Sequence, residues 1–365
     1  MNYDVGIIYF MSVGVFFNII LSVPKSLLYL SSKYYFISIS LIISELITLG
    51  VIYISYTTDS ALLLSLKFLT IPFFTFIFFY IYCYKISGVS YSISKDFSGV
   101  YSIIDFMKNS FGFNCLNYLS RNLDNLLMVR FFDAFTLGIY EKSYSLMKYP
   151  IQLLTSAVSP AIQPSLALNG FDVGFANKCY NIIFDNLIYV GFITSVFIQL
   201  NAEIIVRIIL GETWIDVAPV ISILSISLPI QIVTSFNGGF WNSADKSNLQ
   251  FRVSLVNFCI FIPILFISFF YFDKMMDVVF VISFLLIVTC SYACVQIRYK
   301  LFDISKVETL FKLIYRYLFF IFISYLVLMH VESGLLVLFI SIILFSCLFI
   351  FWLYRMNLEL KKLRD

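Results

Sequence analysis

An all-α polytopic membrane protein is the fold class this sequence predicts, and three observations predict it. Hydrophobic residues make up 61% of the 365-residue chain and charged residues only 12%. Soluble domains sit near half apolar and a quarter charged, so no water-soluble fold of this size could hide so much apolar surface. The apolar residues also arrive in runs of about 18 to 25, long enough to cross the ~30 Å hydrocarbon core of a bilayer as helices. The connections between runs are short, and none is long enough for a soluble domain.

Eleven runs are expected to span, at about 5–23, 36–56, 61–83, 105–131, 138–160, 181–200, 217–240, 252–272, 277–297, 313–330 and 333–354. Of the longer connections, 84–104 is rich in serine. The other, 201–216, reads NAEIIVRIILGETWID and is expected to lie on the membrane surface as a short amphipathic helix. Placing the tail RMNLELKKLRD in the cytoplasm puts most of the 24 lysines and arginines on that side, as the positive-inside rule requires. Eleven spans then leave residue 1 outside. The opening MNYD carries no basic residue, and the first run lacks a signal-type flank and cleavage site. The expectation is therefore an odd number of further helices upstream.

Several chemistries find no support. The seven cysteines lie in apolar segments without a CxxC pair or a neighbouring His, which fits buried thiols better than a metal site. His330 has no partner for a metal or a catalytic triad, and is expected at an interface. No GxxxxGK[ST] loop occurs, which argues against direct nucleotide drive. A net charge of +3, read as membrane topology, makes no case for nucleic acid. No cofactor and no metal are expected.

Two runs break the apolar rule. Around NYLSRNLDNLLMVRFF (117–132), Ser110, Asn114, Asn117, Arg121, Asp124 and Met128 project within an arc of roughly 80° on a helix, flanked by Asn125. In the next run Glu141, Ser145, Lys148, Gln152, Thr155, Ser159 and Gln163 do the same. FFDAFTLG joins the two, so they are expected as antiparallel neighbours. At ~1.5 Å per residue, Arg121 and Lys148 both lie ~15 Å from the outer ends, with Asp124 and Glu141 shallower, at roughly 6 to 10 Å. A charge at the bilayer centre costs at least ~2.5–3.5 kcal/mol, so these residues face a bundle interior or an aqueous path. Internal ion pairs, such as Arg121 with Asp124, would hold helices together. The length of both stripes favours a substrate or ion path, since glue needs only one or two contacts. Prolines 150, 160 and 164 punctuate the second striped run, and others lie at 72, 219, 229 and 263, as in the broken helices of transporters.

Residues 120–167 carry a resemblance. The elements NLDNLL (122–127), LGxY (137–140), YxLM (144–147) and PxQ (150–152) resemble the Wzx-type O-antigen flippases and polysaccharide exporters of the multidrug/oligosaccharidyl-lipid/polysaccharide transporter superfamily. RIILGETWIDVAPVISIL (207–224), with Gly211 and Trp214, is similar to that family's GxxW segment, and VPKSLLYLSSKYYF (23–36) to one of its loops. The resemblance implies a two-bundle fold of twelve to fourteen helices, here with the N-terminal bundle incomplete. Residues 1–104 would be about three helices of that bundle and a cytoplasmic linker. Residues 105–297 would be the second six-helix bundle, and 298–365 a cytoplasmic loop, a terminal helix pair and the basic tail.

The implied function is transfer of an undecaprenyl-diphosphate-linked oligosaccharide, an O-antigen or capsule repeat unit, across the bacterial inner membrane. Arg121 and Lys148 would attract the diphosphate, and Asn114, Asn117 and Gln152 would meet sugar hydroxyls. Asp124 and Glu141 would balance charge or bind a coupling ion, and Lys142 would snorkel outward. Partners would be that lipid-linked oligosaccharide, the bilayer and the polymerase machinery. Alternatives are a lipid-precursor or multidrug transporter on the same scaffold, or a truncated non-transporting remnant. A polymerase or membrane acyltransferase would call for a large outer loop or a partnered His.

Overall fold

The computed structural model describes residues 2–54, 60–87, 98–167, 171–330 and 335–361. Among them every regular element is helical: α1 (Asn2–Leu30), α2 (Tyr34–Ile54), α3 (Ser60–Ser87), α4 (Ser98–Phe131), α5 (Ala134–Ala167), α6 (Val173–Ile209), α7 (Val217–Ser225), α8 (Leu228–Thr234), α9 (Asn237–Ser243), α10 (Ser247–Tyr271), α11 (Met275–Phe302), α12 (Lys306–His330) and α13 (Leu335–Lys361), with a 3-10 turn at Glu212–Trp214.

Six of the described helices are long and apolar enough to cross a membrane: Gly6–Leu30, Tyr34–Ile54, Leu64–Lys85, Val173–Ile209, Ser247–Tyr271 and Met275–Phe302. A seventh crossing forms if Val217–Ser225 and Leu228–Ser243, bent by 58°, are one broken span. Length and hydropathy thus account for six or seven of the eleven expected crossings. The striped helices α4 and α5, at 34 residues each, are long enough but fall outside that set; their polar residues are the reason. The chain is a multi-pass, all-helical membrane protein.

Two compact units divide it, Met1–Phe97 and Ser98–Asp365. In the first, α1 packs along α3 at Gly14, where an added Cβ would strike the Phe68 carbonyl. The second helix is inverted relative to a soluble one. Its buried face is Ile37, Ser40, Ser44 and Thr48, whereas Leu41, Ile42, Ile43, Leu46 and Leu49 point outward. Thr75 Oγ1 donates to Ser44 Oγ (3.0 Å), and Thr48 Oγ1 donates to Thr70 Oγ1 (3.0 Å), bonding α2 to α3. Lipid chains are as apolar as leucine, so close packing and hydroxyl bonds hold such helices together.

In the second unit α6 is shared by two apolar clusters. Its Leu187 and Ile188 pack in one cluster with Ile230, Val233 and Ile297. Its Ile198, Ala202 and Val206 pack in the other with Val220, Leu224 and Ile282. Between them Gly191 lets α8 approach so closely that a Cβ there would strike the Pro229 backbone.

The bend beside it has a local cause. Proline favours a helix's first turn and disfavours helix in the residue before it, so Pro229 starts α8 and stops α7. The amides of Ile226 and Ser227 donate to Ile223 and Leu224 carbonyls at 3.2 and 3.1 Å, tightening the end of α7. Hydroxyls complete the set. Ser195 Oγ donates to the Ser225 carbonyl (2.6 Å), and the Ile230 amide donates to Tyr317 Oη (3.3 Å).

The separate surface helix expected at 201–216 does not form. Ala202 and Val206 are buried in the second cluster, which carries α6 on to Ile209. Gly211 then turns the chain at φ +91°, a region that glycine occupies without strain. Arg207 Nη1 pairs with Glu212 Oε1 across that turn at 2.9 Å.

Gly191→Ala should destabilise the protein by about 1–3 kcal/mol, the usual range for overpacking. Gly50→Ala is the control, because nothing lies within 4 Å of a Cβ there. Thermal unfolding in detergent reads the difference; equal midpoints would show that α6 and α8 do not meet closely.

Candidate functional site

Asp133 sets the start of α5. Its carboxylate Oδ1 accepts from the Thr136 amide at 2.6 Å, and its carbonyl accepts from the Leu137 amide at 3.0 Å. Hydrogen bonds from the Thr136 side chain and backbone hold this exposed carboxyl below its ordinary range. The chain therefore reverses within two residues, and α5 runs back beside α4.

Between the two helices lies a polar cavity of about 370 Å³. Asn117, Tyr118, Arg121, Asn122 and Asn125 line it from α4, and Glu141, Tyr144, Ser145 and Lys148 from α5. The spacing is helical on both sides: 117, 121 and 125 are successive turns of one face, as are 141, 145 and 148 of the other. Four of the seven residues expected at a site, Asn117, Arg121, Glu141 and Lys148, are brought together here. Asn114 is exposed one turn before the cavity and donates from Nδ2 to the Ser110 carbonyl (2.9 Å). Gln152 is exposed one turn beyond Lys148 and does not line the cavity.

Asp124 takes a different place from the cavity wall expected for it. It is only 2% exposed, and Tyr140 Oη donates to its Oδ2 at 2.6 Å while the Asn125 amide donates to its Oδ1 at 2.8 Å. Three residues past Arg121, its side chain points about 60° aside on the helix, towards α5, where the tyrosine meets it. The Arg121–Asp124 ion pair considered above is absent. Among the described residues neither Arg121 nor Lys148 joins any ion pair. Instead, Lys148 Nζ stands 4.2 Å from the centre of the Tyr144 ring. A ring face attracts a cation without cancelling its charge. Two cations thus meet one carboxylate, Glu141, on the cavity wall.

The two tyrosines were missed as site residues. Tyr140, Tyr144 and Lys148 are spaced four apart, so they stack along α5: the Tyr140 and Tyr144 rings lie 5.9 Å apart, and Lys148 caps the second. The signal was present in the LGxY and YxLM elements, but an aromatic residue in an apolar run reads first as packing. Lys142 turns to Trp214, its Nζ 5.8 Å from the ring centroid, so the GxxW turn rests on α5 beside the site. Ser143 Oγ donates to the Val217 carbonyl (3.3 Å), fixing the same junction to α7. Among the described residues no group of His, Cys, Asp or Glu is clustered to hold a metal ion.

Such a cavity can hold an anion with hydroxyl groups around it. Two cations supply charge, and asparagine amides and a serine supply donors and acceptors for a polyol.

Comparison with known proteins gives this geometry a context. A family model described as polysaccharide biosynthesis protein matches residues 4–219, more than half the chain and both helices of the cavity. Among curated proteins, the teichuronic acid biosynthesis protein TuaB of Bacillus subtilis (strain 168) is 23% identical over 152 residues, 40% of this chain and 32% of the relative. An uncharacterized membrane protein in the cps region of Klebsiella pneumoniae is 22% identical over 153 residues, 42% of this chain and 32% of the relative. The chain thus aligns with about a third of the length of these relatives. No solved structure matches it.

Tyr140→Phe should leave the buried Asp124 carboxylate short of a donor and lower stability by about 1–3 kcal/mol. Tyr118→Phe, at an exposed cavity residue, should change it little. Denaturation of the two variants in matched detergent checks this, and similar losses would remove the special standing of the Asp124–Tyr140 bond.

Proposed function

The chain belongs to the polysaccharide biosynthesis protein family, and we propose that it carries a polyprenyl-diphosphate-linked oligosaccharide from the cytoplasmic to the outer face of the bacterial cytoplasmic membrane. The substrate would be an O-antigen or capsule repeat unit. The observation that supports this most is the α4–α5 cavity, whose two cations lack ion-pair partners among the described residues. A diphosphate and a glycan cannot enter ~30 Å of hydrocarbon without losing their water, at several kcal/mol for each unpaired polar group. A polar recess replaces that water while the polyprenyl tail stays in lipid.

In this reading Arg121 and Lys148 hold the diphosphate, Arg121 through its planar fork and Lys148 as a point charge. Asn117, Asn122 and Ser145 bond sugar hydroxyls, and Asn114 and Gln152 continue the polar face a turn beyond each end. A cavity of about 370 Å³ is near the lower end of small-ligand sites, so it takes the diphosphate and the first sugar and leaves the rest of the glycan outside. Glu141 balances charge at the wall. Asp124, beneath it, is the group that would bind and release a coupling ion as access alternates, with the Tyr140 hydroxyl as its gate. The role is transport, with no bond made or broken. The basic tail would lie on the cytoplasmic side, and the pathway's polymerase machinery would be a partner.

Arg121→Ala and Lys148→Ala should each lower surface polysaccharide at least about tenfold, the effect of losing one charge-assisted contact. Membrane abundance should stay unchanged, and Arg121→Lys should fall between. Cells lacking their own copy of the gene and complemented with each variant give the measurement. Undiminished polysaccharide in both alanine variants would remove the assigned roles. Normal polysaccharide with altered tolerance to cationic drugs would favour a drug transporter instead.

A further inference from the structure

A second cavity in the Ser98–Asp365 unit lies between α6, α12 and α13 and holds about 650 Å³. Its walls are apolar, including Phe192, Val196 and Leu200 of α6, Phe319 of α12 and Leu344 of α13. The three α6 residues are four apart and form one continuous strip. From Tyr189 to Leu200 the wall runs ~16 Å along the helix, close to the length of an ordinary fatty acyl chain. Among the described residues, one charged side chain, that of Arg316, reaches this wall.

Around Arg316 cations outnumber carboxylates. Lys312 Nζ and Arg316 Nη2 both lie 2.8 Å from the same oxygen of Asp185. Arg298, Lys312 and Arg316 stand 5.1, 5.7 and 5.5 Å from the centre of one ring, Phe184. Arg298 is satisfied by Asn181 Oδ1 and Thr309 Oγ1 at 2.8 and 3.2 Å. Nearby Arg355 and Glu359 neutralise each other at 2.9 Å. Arg316 is not satisfied: its Nη1 is buried and, among the described residues, meets no acceptor. A buried guanidinium nitrogen without an acceptor is unfavourable, and a turn of the Arg316 side chain into the groove it lines would bring that nitrogen to an anionic oxygen there.

We propose that this groove binds an anionic phospholipid of the bilayer, with one acyl chain along α6 between α12 and α13 and the phosphate at Lys312 and Arg316. The apolar wall cannot choose among lipids, because every acyl chain in the bilayer is as apolar as the wall itself. Selectivity rests on the head. Basic recesses between membrane helices favour anionic headgroups, whereas a choline or ethanolamine lipid brings a cation of its own. Among the described residues none of α4 or α5 lines the groove, so its ligand would carry its own head rather than reach back to the polar cavity. The ~16 Å strip suits an ordinary acyl chain and is several times too short for a long polyprenyl chain. Such a lipid would bond α12 and α13 to α6, completing the basic cluster at that end.

Native mass spectrometry of the full chain, purified into mixed micelles of equal phosphatidylglycerol and phosphatidylcholine, tests the proposal. The unmodified protein should retain phosphatidylglycerol by about tenfold over phosphatidylcholine, and Arg316→Gln should bring that ratio below about twofold. Val196→Trp, filling the groove, should remove both lipids. Arg207→Gln, at the other end of α6, should leave the ratio unchanged. Should Arg316→Gln fail to fold, the unmodified ratio and Lys312→Gln decide the matter. Equal retention of the two lipids by the unmodified protein overturns the proposal, as does a preference undiminished in the Lys312 and Arg316 variants. Displacement of phosphatidylglycerol by equimolar undecaprenyl phosphate overturns it too, assigning the groove to a polyprenyl lipid.

Discussion

In hydrocarbon every polar group must find its partner inside the protein, and this constraint explains more of the molecule than any single contact. It makes all the regular elements among the described residues helical, because a helix bonds its own backbone. It also turns side chains inside out. On α2 the inward face includes Ser40, Ser44 and Thr48, the last two bonded across to Thr75 and Thr70, while most leucines and isoleucines meet the lipid. The same demand makes the helix break near Pro229 tolerable, since Ser195 and Tyr317 supply the bonds that an unbroken helix would have made for itself.

Against that background the α4–α5 pair is informative for what it leaves undone. The carboxylate that could have cancelled Arg121 is turned away and held by Tyr140, and Lys148 rests on an aromatic face that keeps its charge available. Ion-pair glue would have joined these groups to one another. Stacking Tyr140, Tyr144 and Lys148 along one helix does the opposite: it props a cation over a cavity and anchors the base of the stack to a buried acid. The opposite arrangement occurs beside α6, where one Asp185 oxygen serves both Lys312 and Arg316.

The helices were legible because long apolar runs admit few other structures. The expected 36–56 and 277–297 fall on Tyr34–Ile54 and Met275–Phe302; residues 55–56 of the first lie outside the described residues, and the second is continued at both ends. Angular spacing placed Asn117, Arg121, Glu141 and Lys148 on facing sides, and the structure gathers them in one cavity. Spacing could not say which residue of a stripe turns towards the partner helix, so Asp124 was assigned to the wall that Tyr140 draws it from. The stripes also ran on past the point where the helices enclose space, which leaves Asn114 and Gln152 outside. At 201–216 the charges of Glu203 and Arg207 suggested a surface helix. The burial of Ala202 and Val206 against α7 and α11, a tertiary fact, keeps that segment within α6. At 217–240 uniform hydrophobicity gave one span, and of its two prolines it is Pro229 that marks the break.

That break has a mechanical consequence. A straight helix moves as a beam, and bending it would break backbone hydrogen bonds in a medium that offers no replacements. The segment from Val217 to Ser243 is already jointed, with hydroxyl groups from α6 and α12 bridging the joints and Gly191 acting as a bearing against Pro229. Bending there would break fewer backbone bonds than in a continuous helix, because the ladder is already interrupted. The continuous rods beside it, α6 and α11, thus flank an element whose own backbone ladder is interrupted in the middle of the unit.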